Sequence, residues 1–100
     1  MEFLKECGCN DLDIKEIMDN NYPNIIENLV LNQERVLEII DYLIGIGINI
    51  STIKEIFVYQ VGLFFKEKSE IKNSFDEYEI DSIVKSLNYD VNNIELIDFI

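Results

Sequence analysis

The chain has 100 residues, 48% of them apolar, and carries 20 acidic against 8 basic side chains for a net charge of −12. That length and apolar content suffice for one hydrophobic core without a metal or disulfides, and they exclude a disordered chain. The acids are spread over both halves, which disfavours a nucleic-acid backbone or an anionic membrane as partner, since each needs clustered Lys and Arg.

In chain order, a first helix is predicted over Glu2–Cys7 and a second over Asp11–Asn20. Pro23 suits the first position of a helix, where its missing N–H is of no consequence, so a short helix runs to about Leu31. Asn32 then caps a helix from Gln33 to about Ile46. Its apolar set of Val36, Leu37, Ile39, Ile40, Leu43 and Ile44 is wide enough to be covered on two sides, which makes it the central helix. Strand-like alternation is confined to "IGIGINI" at Ile44–Ile50. Helices follow at Ser51–Gln60 and Val61–Lys68. Ser74 and Glu77 have the spacing of a capping box for a helix whose stripe is Ile80, Ile83, Val84 and Leu87. A last helix covers Asn92–Phe99.

The longest apolar runs, Tyr42–Ile48 and Ile56–Phe65, fall short of the ~20 residues a spanning helix needs. The start "MEFLKECG" lacks the basic and apolar regions of a signal peptide. Two cysteines one residue apart do not make a disulfide framework, so a cytoplasmic location with reduced thiols is expected.

Residues 3–20 shifted by 39 overlie residues 42–59. Leu4 meets Leu43, Gly8 meets Gly47, Asn10 meets Asn49, and the two "IKEI" tetrads coincide. A third copy, shifted by a further 41, sets Val84 on Leu43, Asn88 on Gly47, Tyr89 on Ile48, and Ile94 and Ile97 on Ile53 and Ile56. Gly8, Gly47 and Asn88 each follow a helical apolar pattern, and Gly or Asn best accepts the left-handed backbone that closes a helix. Each unit therefore reads as helix, left-handed cap, apolar plug (Cys9, Ile48 or Tyr89), polar turn (Asn10, Asn49 or Asp90), second helix. The fold expected is all-α: one compact domain over 1–100, a short array of about two and a half helical hairpin repeats with units near 1–39, 40–80 and 81–100.

The stretches "FLKECGCNDLDIKEIMDNNYP" and "YLIGIGINISTIKEIF", with "IVKSLNYDVNNIELI" as a fainter third, resemble the repeat of the mitochondrial transcription termination factor family. The resemblance implies an α-helical array and, in many members, action on nucleic acid. Two features depart from that pattern: Gly62 stands where the second unit would show the counterpart of Pro23, and the acidity is wrong for a nucleic-acid groove.

The chain has no histidine, which removes Ser–His and Cys–His nucleophile pairs and the commonest metal ligand. Cys7 and Cys9 are half a tetrahedral zinc site with no second pair, and they align with core positions of the other copies. "GIG" at Gly45–Gly47 lacks the glycines and strand of a phosphate loop. Neither a catalytic residue, a cofactor nor a metal is expected. The apolar run "IFVYQVGLFF" reads as core, with an exposed docking patch as the sharper alternative.

Asp76, Glu77, Glu79 and Asp81 form the densest acidic run. With Asp11, Asp13 and Glu16 they are the candidate interaction face. The function expected is a non-catalytic acidic binding module that recognises a basic protein, with homo-oligomerisation open and no membrane partner. One alternative is a nucleic-acid-binding repeat, as the resemblance implies, which requires Lys54, Lys66, Lys68, Lys72 and Lys85 to gather on one surface. Another is a small acidic inhibitor that imitates nucleic acid.

Overall fold

The computed structural model describes residues 1–99. Within them the chain forms a 3-10 segment at Glu2–Cys7, then α1 (Asp11–Asp19), α2 (Pro23–Leu31), α3 (Gln33–Ile46), α4 (Ile50–Tyr59), a 3-10 segment at Val61–Phe65, α5 (Lys68–Phe75), α6 (Ile80–Tyr89) and a 3-10 segment at Val91–Leu96. No strand occurs among the described residues, so the domain is all-α. Ile100, the last residue of the third expected unit, lies outside them.

Helix starts and stops follow from local chemistry. Gly8 and Gly47 adopt φ of +102° and +115° and close the first segment and α3. The Asn10 side chain accepts from the Asp13 N–H at 2.9 Å, and the Asp13 carboxylate accepts from the Asn10 N–H at 3.0 Å, a reciprocal cap on α1. Pro23 opens α2 at its first position. Directly after these caps, Cys9 and Ile48 point into the core and are buried.

The core is continuous. α3 packs on α2, α4, α5 and the Val61–Phe65 segment, and its Val36, Ile39, Ile40 and Leu43 are fully buried, as befits a helix apolar on two sides. α4 packs on α1 and on the Val91–Leu96 segment. Ile14 and Ile17 of α1 and Ile53 and Ile56 of α4 are the inward-facing isoleucines of the two tetrads. The run after Ile56 contributes to the core through Phe57, Leu63 and Phe64: Phe57 and Phe64 are fully buried and stack with ring centres 4.0 Å apart, while Tyr59 is exposed.

Four local expectations are corrected. Asn32 stands at the N-cap position of α3, but its side chain makes no capping bond there; its side-chain N–H donates backwards to the Asn28 carbonyl at 2.8 Å, closing α2. Ser74 does not open α6. It lies buried in α5, its hydroxyl donating to the Glu70 carbonyl four residues earlier at 2.8 Å. The burial of Ile71 and Phe75 on one face draws the helix through Ser74, and α6 begins after Glu79 instead. Asn88 is not a left-handed cap, because no non-glycine residue has positive φ among the described residues. It stays in α6, which runs on to Tyr89. Tyr89 is therefore no plug: it is 90% exposed, and Val91 is buried in its stead.

Candidate interaction site

Folding uses the two acidic sets differently. On α1, Asp11 meets Lys5 at 3.0 Å, while Glu16 and Asp13 meet Lys54 of α4 at 3.0 and 3.6 Å. Lys54 is held more firmly protonated by its hydrogen bond to Glu16. Asp13 and Glu16 thus help to join α1 to α4, and Asp11 ties α1 to the Glu2–Cys7 segment. The second set is different. Asp76 pairs with Lys72 at 2.8 Å and raises the pKa of that ammonium, but Glu77, Glu79 and Asp81 are exposed and meet no cation among the described residues.

The backbone explains why the second set projects. After Phe75 the chain leaves α5 through two tight turns, Glu77 N–H to the Ser74 carbonyl and Tyr78 N–H to the Phe75 carbonyl. Glu79 is extended, and its carbonyl accepts the first N–H bonds of α6. Its side chain makes no capping bond and stays available.

Behind this turn lies a groove of about 300 Å³ between α6 and the Val91–Leu96 segment. Ile83 and Leu87 form its buried floor, and Leu96, which is 76% exposed, and Ile97 form the far wall. Glu79 lines one end, and Ser82 and Ser86 lie along α6. The walls are tied together by the Asn93 side-chain N–H donating to the Ser86 carbonyl at 2.9 Å and the Asp98 N–H donating to the Tyr78 hydroxyl at 3.3 Å. The acids are legible in the sequence, but the groove is not. Its trace in the sequence is a pair of adjacent stripes on α6, Ser82/Ser86 beside Ile83/Leu87, each repeating at four residues.

Across the whole surface the excess charge survives folding. Lys5, Lys15, Arg35, Lys54, Lys66 and Lys72 engage carboxylates at 2.6–3.8 Å. Among the described residues Lys68 and Lys85 do not, whereas twelve of the twenty acids lack a cation. Cys7 is half-buried and Cys9 buried, both as free thiols. Among the described residues no group of three or more Cys, Asp or Glu is arranged to hold a metal ion, and no helix is long and apolar enough to cross a membrane.

No protein-family model, no curated protein and no solved structure matches the chain.

Proposed function

We propose that the chain is a non-catalytic binding module that recognises a basic surface on another protein. The observation that carries this reading is the run of Glu77, Glu79 and Asp81, exposed and without a cation among the described residues, of which Glu79 lines an apolar groove. Carboxylates without internal cations are available to a partner's, and clustered charge of one sign speeds encounter with the opposite sign. The polar groups inside the fold are engaged structurally: the Thr52 hydroxyl donates to Asn88 and the Ser74 hydroxyl to a helix carbonyl.

The scaffold is read as a helical-hairpin array of the mitochondrial transcription termination factor kind. Support comes from the matching left-handed glycines Gly8 and Gly47, the matching buried plugs Cys9 and Ile48, and the packing of α1 on α4. The nucleic-acid role of that family is not carried over. Of the five lysines such a role needs, Lys54, Lys66 and Lys72 are bridged to carboxylates, while Lys68 and Lys85 stand on different helices.

The test is fluorescence anisotropy with a labelled oligolysine and, in parallel, a labelled DNA duplex, each at low and high ionic strength. Oligolysine binding that weakens steeply with salt, and no duplex binding, is the expected result. Duplex binding, or no binding of oligolysine at low salt, would overturn the reading.

A further inference from the structure

We propose that the groove between α6 and the Val91–Leu96 segment is a receptor for one lysine side chain of the partner protein, its aliphatic stem on the floor and its ammonium at Glu79. This rests on the acidic-module reading and adds to it the site and the chemistry of the anchor. The lining decides the occupant. Ile83, Leu87, Leu96 and Ile97 offer an apolar track. Glu79 ends the track with a carboxylate that has no cation, and Ser82 and Ser86 carry hydroxyls that make no hydrogen bond among the described residues. A purely apolar occupant would crowd the Glu79 carboxylate without pairing it, which is unfavourable. An anionic one would be repelled by Glu79. An aliphatic stem with a cationic head satisfies both ends, as long basic side chains do when they lie along apolar surface.

Size and charge agree. About 300 Å³ is at the lower bound for a small-molecule site, so the groove suits one long side chain. The start of α6 carries roughly half a positive charge, which three neighbouring carboxylates outweigh. Lys85, the one cation on α6, does not line the groove.

The test uses a labelled octapeptide of alternating lysine and glycine at low ionic strength. Two analogues accompany it, one with 2,3-diaminopropionate for lysine (charge without the stem) and one with norleucine (stem without the charge). The lysine peptide should bind about fivefold more tightly than either analogue, and Glu79→Gln should weaken it about fivefold, as expected for a partly exposed ion pair. Glu55→Gln, at an exposed acid of α4, should change it less than about twofold. Glu79→Gln should leave the norleucine peptide unaffected, and its melting curve should match that of the parent. Equal binding of the lysine and diaminopropionate peptides, or equal effects of Glu79→Gln and Glu55→Gln, would overturn the groove while leaving the acidic module standing. Failure of both cationic peptides to bind would remove the acidic-module reading itself. Cadaverine competing as strongly as the peptide would assign the groove to a free diamine and overturn a protein anchor.

Discussion

The Asn88 side-chain N–H donates to the Gly47 carbonyl at 3.2 Å, joining α6 to the turn that ends α3. The Asn88 side-chain oxygen accepts at the same time from the Asn49 N–H at 3.1 Å and from the Thr52 hydroxyl at 2.8 Å. One amide thus satisfies a carbonyl left open by the end of α3 and an N–H left open before α4. The residue that aligns with Gly47 in the sequence repeat is its hydrogen-bond partner in space.

Asn88→Ala should therefore destabilise the domain by about 1–3 kcal/mol, the range for leaving partly buried polar groups unpaired. Asn88→Asp keeps the acceptor and loses the donor, so it should fall between the parent and Asn88→Ala. Urea unfolding checks the order; a fully parental midpoint for Asn88→Ala would show the amide to be ornamental.

The glycine inside α3 and the one that closes it should respond with opposite signs. Gly47 has φ of +115°, and a Cβ there would lie 3.3 Å from Val84 Cγ1. Gly47→Ala should cost about 1–2 kcal/mol through the left-handed backbone, and more if Val84 cannot give way. Gly45 lies inside α3 and a Cβ there meets nothing within 4 Å, so Gly45→Ala should stabilise by about 0.5–1 kcal/mol. Thermal melts of the two variants make the comparison.

Phe57 and Phe64 stack at 4.0 Å, fully buried where α4 meets the following 3-10 segment. Phe57→Ala should cost about 3–5 kcal/mol, a large part of the ~5–15 kcal/mol that a native domain has in hand. Polar replacement of Ile53, Ile56 or Leu43, all fully buried, should unfold the chain. Val84 is only half-buried and should tolerate the same change better. Circular dichroism separates these outcomes.

Burial pushes the Cys9 thiol up from 9.0 to about 11, with the Asp13 carboxylate and Cys7 adding to the effect. The folded state then favours the neutral thiol. As pH rises past 9 the unfolded chain gives up this proton first, so the contribution to stability is whole below pH 9 and falls away between 9 and about 11. Lys5, Lys15, Lys54 and Lys72 are raised by their carboxylate partners and also lose their stabilising charge at high pH. Cys9→Val isolates the thiol, because the lysine effect is common to both proteins. The stability of the parent relative to Cys9→Val should decline from pH 8 to 10.5, and iodoacetamide should modify Cys7 ahead of Cys9.

Features set by neighbours in the chain were legible in the sequence. Gly8, Gly47, Asn10 and Pro23 act within a few residues of themselves, and the helices they bound follow. Features that depend on distant partners were not. Ser74 has the spacing of a cap, but Ile71 and Phe75 find a core to fill, and the helix runs through it. Asn88 looks like a cap, but the open groups of the Gly47–Thr52 turn give its amide better use inside α6. The groove combines Glu79 with Leu96 and Ile97, residues that no periodicity connects, whereas the acidic run that contains Glu79 is local and could be read directly.

The measurement that tests the central claim most directly is calorimetric titration of oligolysine into the triple variant Glu77→Gln/Glu79→Gln/Asp81→Asn. The matched control removes Glu27, Glu34 and Glu38, three exposed acids of α2 and α3 without cations. Both variants lose the same net charge. The account predicts that binding falls at least about tenfold in the first and changes little in the second; equal weakening in the two would show that net charge alone attracts the ligand and that the acidic run before and within α6 is not the site.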